Sequence, residues 1–249
     1  MITTYIYALG SVLIVSLISL IGVFSLSFKE ETMKKYIGIF ISLAVGALLG
    51  DVFIHIIPES FESSANITLT SLLIISGLLI FFILEKFLHW HHHGEDKELN
   101  HVHPVGKLIL FSDGVHNLID GIIIGASFLV SVPLGIATTL AVILHEIPQE
   151  IGDFAVLLHA GYSKKRALFL NFVSASFSII GVIIALVLSN ISDSFILYLL
   201  PIASGGFIYI ALADLIPELH KHKGIRNSFA QIVTVIIGVL LMLALTLFE

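Results

Sequence analysis

The sequence contains no cysteine, which excludes disulfides and thiolate metal ligands together. Charge is nearly as scarce. Only 12% of the 249 residues are charged, where a soluble domain has about a quarter. Methionine, with three residues, is too rare to build a thioether site for cuprous copper. What fills the chain instead is apolar: 57% of its residues are hydrophobic and its mean hydropathy is +1.05. Such a chain is a polytopic membrane protein whose surface partner is the lipid bilayer, and no nucleic-acid partner is expected of it.

A bilayer core roughly 30 Å thick takes about 20 apolar residues per helix. The backbone must satisfy its own hydrogen bonds there, so the expected fold is all-α. Eight windows fit with short connections: residues 4–27, 36–57, 68–88, 105–131, 135–160, 165–189, 194–218 and 226–248. Residues 1–249 are expected to form a single transmembrane domain. The first window has neither a basic leader nor a small-residue cleavage pattern, so it reads as a retained span. All twelve cations lie in, or at the edge of, alternate connections: Lys29, Lys34 and Lys35; Lys86, Lys97 and Lys107; Lys164, Lys165 and Arg166; Lys221, Lys223 and Arg226. The positive-inside rule therefore predicts four cytoplasmic loops and two extracytoplasmic termini. The second basic loop, 89–104, is also rich in histidine (His89, His91, His92, His93, His101, His103) and carries Glu95, Asp96 and Glu98. It is either a solvated linker or a loose cytoplasmic collector of divalent metal.

The polar side chains that remain are concentrated. Asp113, His116, Asn117 and Asp120 fall at i, i+3, i+4 and i+7 of the fourth span and so share one face. On the fifth span, His145, Glu146, Gln149, Glu150 and Asp153 do the same. The tight connection Val132-Pro133-Leu134 predicts that the two helices are antiparallel neighbours with the clusters at matching depth. Pro148 predicts a kink beside His145. The second span carries Gly46 and Gly50, read as close-packing residues, then Asp51, His55, Pro58 and Glu59. His55-Ile56-Ile57-Pro58-Glu59 is echoed by Asp214-Leu215-Ile216-Pro217-Glu218 on the seventh, in the opposite direction through the membrane, as an inverted repeat would give. The first, third and eighth spans read as apolar scaffold, and Asn171 and the serines of the sixth as interhelical hydrogen-bonding groups.

Ionisable groups inside a bilayer are costly and mark ion pathways. Imidazole, carboxylate and amide oxygen without Lys or Arg make a site for Zn²⁺, Fe²⁺ or Mn²⁺, with Cd²⁺ as a further cargo of the same kind. On this reading no resident cofactor is needed. Asp51, His55 and Glu59 line the outer approach, Asp113 belongs to the seam, and Asp153, Asp214 and Glu218 lead the ion out. A rival reading is an intramembrane zinc-dependent hydrolase, since His145-Glu146-Ile147-Pro148-Gln149 looks like HExxH with its second His replaced. A carrier of organic solutes would want substrate-reading cations or aromatics that the seam lacks.

These stretches resemble the ZIP family of divalent-metal transporters over essentially the whole chain. HNLIDG at His116–Gly121 is similar to the family's fourth-helix motif, and HEIPQEIGDFA, beginning at His145, to its fifth-helix signature. The resemblance implies a 3+2+3 inverted-repeat bundle of eight helices, a homodimer, and movement of zinc or a similar ion into the cytoplasm rather than enzymatic turnover; the expected location is the cell membrane. It also implies one metal position held by His116, Asp120, His145 and Gln149. A second, held by Asn117, Asp120, Glu146 and Gln149, would adjoin it, bridged by Asp120. Gln149 is a weaker donor than the family's usual His or Glu, and Glu150 stands next to it.

Overall fold

The computed structural model describes residues 2–21, 30–64, 66–90, 104–191, 195–221 and 224–248. Among them are eight helices long and apolar enough to cross a membrane: α1 (Thr3–Ile21), α2 (Ile37–Glu62), α3 (Ile67–Lys86), α4 (Ile109–Val130), α5 (Val132–Leu158), α6 (Lys164–Ser189), α7 (Phe195–His220) and α8 (Ile225–Leu245). No strand occurs among the described residues. Residues 22–27 of the expected first span, and residues 91–103 of the histidine-rich loop, lie outside them.

The helices that carry the polar seam and its approaches are more removed from lipid than the scaffold helices. About 61% of α2 and of α5 is buried inside the bundle, against 17% of α3 and 11% of α8, whose apolar side chains face outward. This is the arrangement the cost of bare charge in hydrocarbon demands.

The turn between α4 and α5 is tighter than the expected three-residue connection. Ser131 alone separates them, in extended conformation, with its hydroxyl accepting the Leu134 N–H at 3.2 Å. Val132 and Pro133 are therefore already helical. A proline in the first turn gives up an N–H that would have had no partner there. Pro148 does not interrupt α5, which is helical from Val132 to His159.

The irregular helices are α2 and α7. Each contains one π turn, Asp51–Ile56 and Ile210–Leu215, and each turn closes with an N–H bonded five residues back, Ile57 to the Val52 carbonyl and Ile216 to the Ala211 carbonyl. In both, a proline stands two residues past the turn, Pro58 and Pro217. Proline cannot accept the ordinary i−4 geometry inside a helix, and a wide turn just before it is one way to relieve the conflict.

Close packing repeats in the same sense. A Cβ on Gly46 would lie 2.1 Å from the Val235 carbonyl oxygen of α8, and one on Gly205 would lie 2.0 Å from the Ile74 carbonyl oxygen of α3. Reciprocally, Gly238 faces the Leu43 carbonyl and Gly77 the Ile202 carbonyl. The α2–α8 crossing is thus reproduced by α7–α3, and the echo seen in the sequence extends from the proline back through the π turn to the packing glycine. This is the pattern of an inverted repeat, with α4 and α5 between its halves.

Candidate metal centre

His145 stands midway along α5, equidistant from Val132 and Leu158, which is roughly 20 Å from either end at helical rise. Its ring is fully buried and lies edge-on to Phe207 of α7, with centroids 6.0 Å apart. Nδ1 sits 3.1 Å from the Ala141 carbonyl. A carbonyl can only accept, so the proton is on Nδ1, and in the neutral ring the Nε2 lone pair points into the seam.

What that lone pair meets is a set of further acceptors. Asp120 Oδ2 is 3.0 Å away, His116 Nε2 3.2 Å and Glu146 Oε1 3.6 Å. His116 Nε2 is in turn 3.6 Å from Asp120 Oδ2 and 3.5 Å from Glu146 Oε1. Four donor atoms on a tetrahedral zinc, at bond lengths of about 2.0–2.1 Å, stand roughly 3.3 Å from one another. The five separations quoted bracket that value. The i, i+4 pair His116 and Asp120 comes from one turn of α4, and the adjacent His145 and Glu146 from α5, so the antiparallel hairpin brings the four together.

A second group adjoins the first. Asp113, Glu146 and Glu150 are all buried, with one oxygen of each within 4.8 Å of the others. The member common to both groups is Glu146, whereas Asp120 was the expected bridge. Asp113, expected only to line the route, is in the second group because it lies one helical turn below His116 and faces the same side of α5. Asn117 turns its amide nitrogen to Asp113, 2.9 Å from Oδ1 and 3.1 Å from the backbone carbonyl. Its Oδ1 is buried without a hydrogen bond, and so are Asp113 Oδ2, Asp120 Oδ1, Glu146 Oε1 and Glu150 Oε1. Five unbonded oxygens on adjoining side chains, with no Lys or Arg among them, are what a cation would satisfy.

Gln149 and Asp153 are half-buried and line a cavity of about 460 Å³. Its other walls include Ile37, Ile109, Gly152, Asp214 and Glu218. These all lie toward the ends of their helices that adjoin the basic connections, so the cavity runs from the seam to that face. Asp214 is exposed there, and Glu218 pairs with Lys221. Toward the opposite face the ionisable groups are buried or half-buried. Asp51 and His55, on the π turn of α2, are 3.5 Å apart and buried, and Glu59 beyond them is half-buried and accepts from the Ser63 hydroxyl.

Sequence reasoning passed over one polar residue. Glu85, near the end of α3, accepts a hydrogen bond from the Tyr209 hydroxyl and lines a small cavity with His116 and Asp214. A lone acid in an apolar span was the available signal, obscured by its neighbour Lys86. Asn171 of α6, read from the sequence as an interhelical hydrogen-bonding group, reaches across to Glu150; its partner has no signature in the flanking residues.

The chain matches the profile of the family described as ZIP zinc transporter through residues 2–108 and 91–246. It belongs to that family. It is 34% identical to zinc transporter ZIP13 of Mus musculus over 84% of its own length and 69% of that protein. With the ZIP13 homolog of Drosophila melanogaster it shares 30% over 89% and 81%, and with metal cation symporter ZIP14 of Xenopus tropicalis 31% over 86% and 62%. As a ZIP family member with a buried His, Asp and Glu cluster between its central helices, the chain is an integral membrane transporter of divalent metal. The hydrolase reading finds no support in these relatives, and Glu146, the residue that would act as its base, is common to both ligand groups.

Proposed function

We propose that the transported ion is zinc, that it is held first by His116, Asp120, His145 and Glu146, and that it passes by way of Asp113, Glu146 and Glu150 to the cavity. The observation that carries this reading is the His145 ring. Its Nδ1–H is committed to Ala141, so its other nitrogen faces Asp120 and Glu146 as acceptor to acceptor at 3.0 and 3.6 Å. For the neutral ring and ionised carboxylates such a contact is repulsive unless a proton or a metal ion lies between them, and with a metal ion it is a coordination sphere. Imidazole and carboxylate together favour zinc over magnesium or calcium, and iron, manganese and cadmium are the nearest competitors.

The cavity supports movement of the ion inward. The basic connections are cytoplasmic by the positive-inside rule, so a seam open to that face, with Asp51 and His55 buried toward the other, is an inward-facing arrangement. Entry then runs past Glu59, His55 and Asp51, and release past Gln149, Asp153, Asp214 and Glu218. Both termini lie outside the cell membrane, the functional unit is a homodimer, and no reaction is catalysed. Uptake of radiolabelled zinc into liposomes holding the purified protein tests the reading. Flux should fall at least tenfold in His145→Ala and Asp120→Ala at equal reconstitution. Undiminished flux in both variants would remove the seam from the route.

A further inference from the structure

Glu150 stands beside Gln149 on α5 and turns toward α6, where one residue holds it. Asn171 is fully buried and donates from Nδ2 to Glu150 Oε2 at 2.7 Å and to the Glu150 backbone carbonyl at 3.2 Å. A single amide therefore fixes both the main chain and the carboxylate of the same residue. Asn171 Oδ1 is buried with no hydrogen bond, so Glu150 alone orients the amide. The result is asymmetric. Oε2 of Glu150 is occupied, while Oε1 is buried with no hydrogen bond, and Glu150 belongs to the group formed with Asp113 and Glu146.

An amide buried on a predominantly apolar transmembrane helix is not neutral. Its bond to a carboxylate that has no cationic partner concentrates cost in one place. The cost is offset if Oε1 is a ligand, for then Asn171 is the outer partner that orients it, as groups hydrogen-bonded to metal-bound carboxylates commonly do. We propose that Asn171 is a positioning residue for the transported ion. By engaging Oε2 it restricts Glu150 to one-oxygen coordination in the all-oxygen group, and so favours the smaller zinc over larger ions. Released from Asn171, both oxygens of Glu150 would be available, and two-oxygen coordination suits larger cations. This inference rests on the reading of the seam as the ion route.

The test is metal-dependent thermal protection of the purified full chain, titrated separately with zinc, cadmium and manganese chloride. Asn171→Leu keeps approximate size and removes the donor; Asn171→Ser keeps a donor. The zinc midpoint should rise about tenfold or more in Asn171→Leu, the cadmium and manganese midpoints should rise less, and Asn171→Ser should lie nearer the wild type. In a Glu150→Ala background, Asn171→Leu should add nothing further. An unchanged zinc midpoint, an equal rise for all three ions, or the same rise when Glu150 is already absent would overturn the proposal. If Asn171→Leu is not recovered from the membrane, Asn171→Ser decides by the same criteria at a several-fold rise. A wild-type protein that zinc does not protect would instead overturn the seam reading itself.

Discussion

Asp120→Asn should stabilise the metal-free protein while disabling it with metal. In the native seam Asp120 Oδ2 faces the His145 Nε2 lone pair at 3.0 Å, and Asp120 Oδ1 is buried with no hydrogen bond. Asparagine has nearly the same shape, removes the charge, and can donate its amide N–H to Nε2. One hydrogen bond gained in place of a repulsive contact is worth about 1 kcal/mol, and removing an unpaired buried charge adds to the gain. With zinc the order reverses. At a free concentration one hundred times the dissociation constant, binding stabilises the native protein by about 2.7 kcal/mol. A variant that binds one hundredfold more weakly would gain only about 0.4 kcal/mol from the same zinc. At about 2–4 °C per kcal/mol for a chain of this size, the melting temperatures should cross: the variant melts a few degrees higher in chelator and several degrees lower in zinc. Thermal unfolding of both proteins in detergent, with and without zinc, reads this directly. A variant less stable than wild type in chelator, with an undiminished zinc shift, would refute the idea that the seam is strained by missing cation.

Three further expectations follow from other parts of the molecule. Zinc affinity should fall as pH is lowered, since protons compete with the metal for imidazole nitrogen and carboxylate oxygen; each proton displaced on binding should cost about tenfold per pH unit, seen in titrations from pH 8 to 5. Because the chain has no native cysteine, Asp153→Cys can be labelled by an impermeant thiol reagent against a silent background. It should react from the face bearing the basic loops, and His55→Cys should not; equal labelling of the two would contradict the one-sided cavity. Gly205→Val should destabilise by about 1–3 kcal/mol or more, because its Cβ would already meet the Ile74 carbonyl at 2.0 Å, and Gly46→Val should do likewise at the pseudo-equivalent crossing. A denaturation series in which Gly205→Val matched wild type would argue against the tight α3–α7 contact.

The sequence by itself determined the class and most of the frame. Twenty-residue apolar windows in a medium without water leave only helices, so their number and approximate limits followed from hydropathy. The stripes on α4 and α5 followed from a 3.6-residue period, and their ability to meet from a turn too short for anything but an antiparallel pair. Even the inverted relation of α2 to α7 left a trace in two proline–glutamate segments. Tertiary structure decided what a one-dimensional pattern does not encode. Spacing on one helix says which residues share a face, but not which oxygen of Glu146 or Glu150 arrives within reach of Asp113, because that depends on the axial offset and rotation of α4 against α5. It also decided that the wide turns fall in α2 and α7 while α5 stays helical through Pro148. Lastly, it chose the partners of Asn171, whose interhelical role the sequence suggested, and of Glu85, whose helix looks like plain scaffold: which residue lies 21 positions or 124 positions away across a hydrogen bond is a property of how helices pack.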